Sequence, residues 1–261
     1  MDQQTLPTRQ SRLAAWHPAW LAGIFIHPRT TLATASESEK NNWLTPLILL
    51  TVLVLLTTLA AMPIRRELAQ TGANLPEDFQ YWSQEQQQQY MDAQAQLTSP
   101  TFLLVFPFVS SSAGLWIFWF LFSSILYLVV TLAGSRVSRL KINNLVAWAM
   151  LPFALRLLVQ LGVALFGHQL VTQPGLSNLL TGQDGNLQAY LRGLLSAIDV
   201  YWLWFAGLVY LGARPLFGLN TAKTLTSVLV TLLVMLLLQG FPSLLSNLLS
   251  GLAGASTPIY F

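Results

Sequence analysis

Long apolar runs separated by short polar segments dominate the hydropathy pattern of this chain. Five of these runs can reach the roughly 20 residues that a helix needs to cross a hydrocarbon layer of about 30 Å. The pattern therefore predicts an all-α integral membrane protein with five transmembrane helices. The predicted spans are residues 43–62, 113–134, 145–166, 193–213 and 224–241.

The polar segment that precedes the first span, residues 1–42, carries helical signals of its own. An apolar island from Trp16 to Ile26 is too short to span a membrane, and its tryptophans favour a helix that lies at the membrane interface. Pro28 can then open a short helix that runs towards Lys40, because the first turn of a helix leaves its N–H groups free. We therefore predict two short helices before the first span.

Residues 63–108, between the first and second spans, form the longest polar segment. Pro76-Glu77-Asp78 favours a helix start, since acidic residues are stabilised by the positive end of the helix dipole. Four residues then recur at helical spacing: Phe79, Trp82, Gln86 and Tyr90. This predicts an amphipathic helix whose aromatic face lies on the membrane surface or on neighbouring loops. The alternative is a solvated, partly disordered loop, because the segment is rich in glutamine.

Composition supports the membrane assignment. Hydrophobic residues make up 54% of the 261-residue chain and charged residues only 9%, against roughly a quarter charged in ordinary soluble domains. The surplus apolar surface must meet lipid. The net charge of +3 is too small and too dispersed for a nucleic-acid-binding surface. The chain contains no cysteine, which excludes disulfides and thiolate catalysis.

The distribution of lysine and arginine predicts the orientation of the spans. With a cytoplasmic N-terminus, nine of the 13 basic residues lie inside, three lie outside and Arg156 lies in the membrane. The inside residues are Arg9, Arg12, Arg29, Lys40, Arg136, Arg139, Lys141, Arg214 and Lys223, and the outside residues are Arg65, Arg66 and Arg192. The positive-inside rule therefore favours an inside N-terminus and an outside C-terminal tail, residues 255–261. The basic turn at residues 135–141 most simply anchors its loop at an anionic leaflet.

The sequence contains none of the common catalytic motifs. It lacks a His-Glu-x-x-His zinc motif, a Gly-x-Ser-x-Gly elbow and a Gly-rich phosphate loop. His17, His27 and His168 are far apart and are predicted on opposite sides of the membrane, which argues against a metal site. Asp199 is the only carboxylate predicted inside a span, so an aspartyl dyad lacks its second member. We therefore predict that the protein is not an enzyme and has no cofactor and no metal.

One polar constellation lies inside the predicted spans. An unpaired arginine near the bilayer centre costs on the order of 3 kcal/mol, so Arg156 should find a partner or a watery cavity. Steps of four residues place Pro152, Arg156 and Gln160 on one helical face. Arg156 and Asp199 lie roughly 15 Å and 9 Å from the outer ends of their spans, at 1.5 Å per residue, and an arginine side chain can cover that difference.

Three interpretations of this constellation remain open. Arg156 and Asp199 can form a buried ion pair that fixes the packing of the third and fourth spans. They can instead line a polar cavity or substrate path between those spans. Arg156 can also face a partner subunit or a lipid headgroup.

Two further patterns concern helix packing. The second span is rich in aromatic residues, which are more often packed against one another than arranged as a ligand cage. In the fourth span, the small residues Gly207 and Gly212 would permit close contact with another helix.

Three short motifs resemble bacterial members of the Yip family, the Ypt/Rab-interacting membrane proteins. They are His27-Pro28-Arg29-Thr30-Thr31, Ala133-Gly134-Ser135-Arg136 and the stretch from Asn144 to Arg156 that includes Trp148 and Pro152. The resemblance covers about residues 20–254 and implies a five-span membrane domain with a cytoplasmic N-terminus and no enzymatic activity. The long cytosolic N-terminal region and the Asp-Leu-Tyr-Gly-Pro type motif of eukaryotic relatives are missing, so their role with small GTPases is not carried over.

The leading hypothesis is a non-catalytic scaffold or accessory subunit in a bacterial cytoplasmic (inner) membrane. Its expected partners are membrane lipid and other integral membrane proteins. Because some bacterial Yip relatives accompany ABC exporters, an ABC transporter is one candidate. The alternative is a transporter or permease that moves a small or lipidic substrate through a polar site around Arg156.

Overall fold

The computed structural model describes residues 18–71, 79–171, 175–180 and 185–255. Within these ranges the chain forms helices and no strand. In chain order the α-helices are α1 (Pro18–Ile26), α2 (Pro28–Glu37), α3 (Leu44–Thr71), α4 (Gln84–Leu97), α5 (Phe106–Leu132), α6 (Arg139–Ala149), α7 (Pro152–Gly167), α8 (Asn186–Ala197), α9 (Val200–Leu216), α10 (Thr221–Gln239) and α11 (Phe241–Ala255). Short 3₁₀ segments lie at Phe79–Tyr81 and Gly175–Leu179, and a π-helical turn lies at Thr101–Val105.

The prediction of an all-α multi-pass membrane protein is confirmed. Within the described residues, four helical stretches are long and apolar enough to cross a membrane, and the bent pair of α8 and α9 is a fifth if it counts as one span. The four stretches are Leu44–Ala69, Thr101–Leu132, Arg139–Gly167 and Thr221–Leu248.

The helices extend further into the predicted outer segment, residues 63–108, than the predicted span boundaries at residues 62 and 113. α3 continues past Met62 to Thr71, and helical structure leading into α5 begins at Thr101 instead of residue 113. At α3 the extension is polar, because a helix that leaves the membrane can continue with polar residues. Residues 102–109, which lead into and begin α5, are apolar themselves, so the predicted start at residue 113 was too late. Pro63 is tolerated within α3 and is exposed.

α4 is the predicted helix of this segment, although it begins later than the sequence suggested. Ser83 and Gln86 form a reciprocal capping box: the Gln86 N–H donates to Ser83 Oγ at 3.3 Å, and the Ser83 N–H donates to Gln86 Oε1 at 3.0 Å. The rings of Phe79, Trp82 and Tyr90 contact one another, with centroids 5.6–5.7 Å apart. The predicted start at Pro76-Glu77-Asp78 lies outside the described residues.

The third predicted span, 145–166, consists of two helices. α6 ends at Ala149 and α7 begins at Pro152. Proline has no N–H to continue the helical ladder and disfavours helical geometry in the residue before it. At the break the Leu151 N–H bonds to the Trp148 carbonyl at 3.3 Å, and the Phe153 N–H bonds to the Met150 carbonyl at 2.9 Å. The backbone thus tightens for one turn, and the two helices still form one candidate span.

The prediction of a continuous helix over residues 193–213 is wrong. α8 ends at Ala197 and α9 begins at Val200, and the two helices are bent by 64°. Asp199 is the N-cap of α9. Its carboxylate accepts a hydrogen bond from the Trp202 N–H at 2.8 Å. Aspartate is unfavourable in a helix interior and favourable at an N-cap, which explains the break.

The chain divides into two compact units. The first comprises Met1–Ile48, Phe118–Phe153 and Thr172–Phe261. In this unit α2 packs against α1, α6 and α9, and α8 packs against α11. Among its fully buried side chains are Ile24, Leu32, Leu145, Trp148 and Phe205. Phe118, Phe122, Phe153 and Phe205 form a ring cluster with centroids 4.9–5.9 Å apart, so the aromatic residues of α5 in this unit serve packing.

The apolar island of the N-terminal segment forms α1 and packs into this first unit. Ile24 is fully buried, and Trp20 meets Trp148 edge to face with ring centroids 5.4 Å apart. The sequence predicted a helix at the membrane interface and did not indicate these contacts with the rest of the unit; Trp16 lies outside the described residues. The predicted short helix that begins at Pro28 is confirmed as α2.

The second unit comprises Leu49–Ile117 and Ala154–Val171. α3 and the helical stretch 101–117 run antiparallel, because Trp116 Nε1 donates to Thr51 Oγ1 at 3.1 Å near one end and Arg65 Nη1 donates to the Leu103 carbonyl at 3.4 Å near the other. α7 lies beside α3, where the Thr57 hydroxyl is 3.4 Å from the Leu157 carbonyl.

Candidate functional site

The three α7 residues singled out from the sequence lie along one uninterrupted helix. Pro152 is buried at its first position, and Arg156 and Gln160 are half-buried one and two turns further on. Their spacing of four keeps them close to one helical face. This part of the predicted arrangement follows directly from the helix.

Arg156 lies level with the middle of α3. The next residue, Leu157, meets Thr57, and Thr57 is 13 residues from the start of α3 at Leu44. No charged residue occurs in α3 before Arg65. At the level of Arg156, the neighbouring helix α3 therefore presents apolar side chains and hydroxyl groups, and no charge.

Asp199 has a local role that the sequence analysis missed. Its carboxylate closes the first turn of α9 by accepting the Trp202 N–H. The signal that was missed is the position of Asp199 directly before an apolar run, where aspartate commonly acts as a helix N-cap. Arg156 and Asp199 belong to different units, and their pairing stays a prediction.

The Asn144–Arg156 motif holds a second set of polar contacts, and these are deeply buried. Asn144 is fully buried in α6. Its side-chain amide donates to the Ser38 carbonyl at 3.3 Å and to the Lys40 carbonyl at 3.0 Å. Asn144 thus binds the backbone of the segment that joins α2 to α3.

Asn42 and Trp148 complete this network. The Trp148 indole Nε1 donates to Asn42 Oδ1 at 3.2 Å, and the Asn42 amide donates to the Ala35 carbonyl at 2.9 Å. Trp148 is fully buried and Asn42 is nearly so. We name Asn42, Asn144 and Trp148 the amide lock, because their hydrogen bonds join α6 to α2 and to the chain that follows it.

The amide lock is energetically significant although each of its bonds is modest. A net protein hydrogen bond contributes roughly 1 kcal/mol, whereas a buried group left without a partner costs about 1–3 kcal/mol. Sequence reasoning identified the stretch that contains Asn144 and Trp148 and missed Asn42. Asn42 could have been identified from its position next to a long apolar run, because a buried polar side chain there needs a hydrogen-bond partner.

The other two motifs also make structural contacts. In the first, the hydroxyls of Thr30 and Thr31 donate to the His27 carbonyl at 3.1 and 3.0 Å at the start of α2. In the second, the buried Ser135 hydroxyl donates to the Phe217 carbonyl at 2.7 Å. All three motifs therefore place hydrogen bonds at helix ends or between elements.

The histidines do not assemble a centre in the described part of the chain. Within residues 18–71, 79–171, 175–180 and 185–255, no group of three His, Cys, Asp or Glu residues is arranged to hold a metal ion. His17 lies outside these ranges.

Comparison with known proteins identifies the family. No curated protein and no solved structure matches the chain significantly. The family model described as the Yip1 domain matches residues 22–242, a range that contains all three motifs, the amide lock and both Arg156 and Asp199. The match covers most of the chain, which therefore belongs to the Yip family of Yip1-domain membrane proteins.

Proposed function

We propose that this protein is a non-catalytic multi-pass membrane scaffold or accessory subunit of a larger membrane complex. The observation that carries the proposal is the amide lock. The family resemblance is strongest in the Asn144–Arg156 motif. Within this motif, Asn144 and Trp148 make buried hydrogen bonds that hold α6 in place. A motif used in this way specifies a rigid helical body and presents no reactive group.

Exposed apolar faces on two helices support a role in assembly. On α3, Ile48, Val52, Leu56 and Leu59 are exposed at helical spacing. On α10, Leu229, Leu233 and Leu237 form a second such row. Rows of this kind face lipid or the helices of other membrane proteins, and in membranes close packing drives helix association.

The proposed setting is a bacterial cytoplasmic membrane, with other integral membrane proteins as partners. An ABC exporter is the partner class that the family resemblance suggests. The structure has two rows through which such a partner can pack.

Gentle purification tests the scaffold proposal. The full chain is extracted from its native membrane in mild detergent, and native mass spectrometry identifies the co-eluting proteins. We expect other integral membrane proteins in stoichiometric amounts. An unrelated multi-pass protein extracted from the same membrane is the control for non-specific co-elution. A chain that elutes alone contradicts the proposal.

Paired variants then identify the row that contacts the partner. Val52→Ala with Leu56→Ala changes the α3 row, and Leu229→Ala with Leu233→Ala changes the α10 row by the same chemistry. We expect one pair to release the partner and the other to retain it. Retention by both pairs would place the contact elsewhere.

Transport is the second candidate, and one observation favours it. Arg156 is half-buried level with the middle of α3, where Thr57 directs a hydroxyl towards α7. A charge at this depth is a common feature of substrate paths in membranes. A lone protein whose melting temperature rises with a specific substrate, and does not rise in an Arg156→Leu variant, would favour transport over the scaffold.

A further inference from the structure

A hydrogen bond of the Ser135 hydroxyl joins two turns of the first unit. Ser135 lies between α5 and α6, and its hydroxyl donates to the carbonyl of Phe217 between α9 and α10. The Val137 N–H donates back to Ser135 Oγ at 3.3 Å. Gly134 and Gly218 have φ values of 99° and 63°, which only glycine adopts readily. The two turns therefore have a defined mutual position.

These turns line an open pocket of about 550 Å³. Arg136 and Lys141 contribute the two charges of its lining, Ser138 contributes a hydroxyl, and none of its lining residues is acidic. The Ser138 hydroxyl makes no capping bond to α6. Across the described part of the chain, the Arg136 guanidinium and the Lys141 ammonium have no hydrogen-bond or ion-pair partner.

A neighbouring arginine has different contacts. Arg139 Nη2 donates to Ser124 Oγ at 3.2 Å, and its guanidinium lies 5.7 Å from the Phe120 ring centroid. Arg139 is thus held against α5 by its own contacts, whereas the two pocket cations have none. Two unneutralised cations and a free hydroxyl around one space are complementary to an oxyanion, and arginine with lysine suits phosphate in particular.

The position of the pocket favours a lipid as the source of that phosphate. α5 leads into the pocket, and its last two turns expose Leu128 by 58% and Leu132 by 79%. The candidate span Thr101–Leu132 ends at this point and the candidate span Arg139–Gly167 begins beyond it, so the pocket lies at headgroup level. We infer that the pocket binds the phosphate headgroup of an anionic phospholipid whose acyl chains lie along Leu128 and Leu132.

Lipid retention in native mass spectrometry tests this inference, which is independent of the scaffold proposal. The full chain is reconstituted with equal amounts of phosphatidylglycerol and phosphatidylcholine, then moved into delipidating detergent. We expect one phosphatidylglycerol to remain bound to the wild type. In Arg136→Gln with Lys141→Gln, its occupancy should fall by roughly tenfold for each removed side chain, the usual contribution of a charged hydrogen bond.

Two controls make the result specific. Arg214→Gln with Lys223→Gln removes the same net charge from exposed positions outside the pocket and should retain the lipid. Arg136→Lys with Lys141→Arg keeps both charges and should restore most of the binding, which excludes misfolding as the cause of a loss.

Four outcomes would overturn the inference. They are equal lipid loss in the pocket variant and the Arg214 and Lys223 control, retention of phosphatidylcholine as strongly as phosphatidylglycerol, no retained lipid on the wild type, and full displacement of the lipid by millimolar inorganic phosphate. The last result would assign the pocket to a free anion.

Discussion

Two asparagine side chains organise the polar contacts around α6. Asn144 and Asn42 are buried in a largely apolar unit, and both side-chain amides donate to backbone carbonyls. Asn144 donates to two carbonyls of the segment that follows α2, Asn42 donates to the Ala35 carbonyl within α2, and Asn42 also accepts a hydrogen bond from the Trp148 indole N–H. Buried amides of this kind have few alternative partners. They therefore fix one position of the α2–α3 connection relative to α6.

Asn144 and its neighbour Asn143 offer a matched test of the amide lock. Asn144→Ala removes two donors and leaves the Ser38 and Lys40 carbonyls without them, so we expect a loss of about 1–3 kcal/mol in the free energy of unfolding. Asn143 is only half-buried, and Asn143→Ala should change stability much less. Chemical or thermal unfolding in detergent measures both, and equal effects would contradict the lock.

Asp199 can be tested for its capping role and its predicted charge pairing separately. Asp199→Asn preserves the cap on α9 and removes the charge, whereas Asp199→Ala removes both. We expect the alanine variant to be less stable than the asparagine variant by about 1 kcal/mol, and the asparagine variant to be less stable than the wild type if Arg156 pairs with Asp199.

The two differences have separate meanings. Equal stability of the alanine and asparagine variants contradicts the cap. Equal stability of the asparagine variant and the wild type contradicts the ion pair, and Arg156→Leu should then leave the melting temperature in detergent unchanged.

At the scale of elements, close packing of α9 depends on a missing side chain. A Cβ placed on Gly212 would overlap Leu145 Cδ1 of α6 and lie 3.4 Å from Leu32 Cβ of α2. The prediction that Gly212 permits close helix contact is therefore confirmed. Gly207 lies on the same helix with open space around it, so within the described part of this chain it makes no such contact, and for Gly207 the expectation stays a prediction.

These glycines form a matched pair. Gly212→Val should destabilise the protein by about 1–3 kcal/mol, because the added methyl groups overpack the junction of α9 with α6 and α2. Gly207→Val makes the same change in helix propensity at an exposed site. Melting temperatures in detergent compare the two variants, and an equal decrease would show that propensity, and not packing, determines the cost.

Local signals predicted some elements and could not predict others. Pro28 gave the start of α2 because proline at N1 is a purely local preference. α1 is apolar on every side. Because it has no polar face, its sequence does not show whether the helix packs against lipid or against a protein core. The α8–α9 break was missed because Asp199 was judged by its depth in a span and not by its capping chemistry.

The candidate site was predictable only in part. Spacing along α7 was enough to place Pro152, Arg156 and Gln160 on one helix. The partners of Asn144 lie more than 100 residues away along the chain, and no periodicity relates them. The pocket around Arg136 and Lys141 also depends on a distant turn, at Phe217. The sequence therefore indicated the basic turn but not the second turn that completes the pocket.

At the scale of the whole molecule, the number of membrane crossings depends on α8 and α9. If this bent pair is re-entrant, the described residues supply four crossings, and Pro18 and Ala255 lie on one side. If it is a broken span, they supply five crossings, and Pro18 and Ala255 lie on opposite sides. The Ser135–Phe217 hydrogen bond joins the turn before α6 to the turn after α9, so both turns lie on one side.

An even number of crossings must therefore separate these two turns. The stretch Arg139–Gly167 supplies one crossing, and α8 with α9 supplies the other. The bond thus supports five crossings, in agreement with the five spans that the hydropathy predicts. The positive-inside rule then gives the proposed orientation, with the N-terminus and both turns in the cytoplasm.

Cysteine labelling of intact cells tests this arrangement most directly, because the chain contains no cysteine of its own. Single cysteines replace Ser256 near the C-terminus, Lys223 after α9 and Ser83 in the outer segment, and a membrane-impermeant maleimide is added before or after permeabilisation. We predict that positions 256 and 83 are labelled in intact cells and that position 223 is labelled only after permeabilisation. Labelling of positions 83 and 223 together in intact cells, with position 256 protected, would contradict the five-crossing arrangement, because a re-entrant α8–α9 pair puts positions 83 and 223 on one side of the membrane.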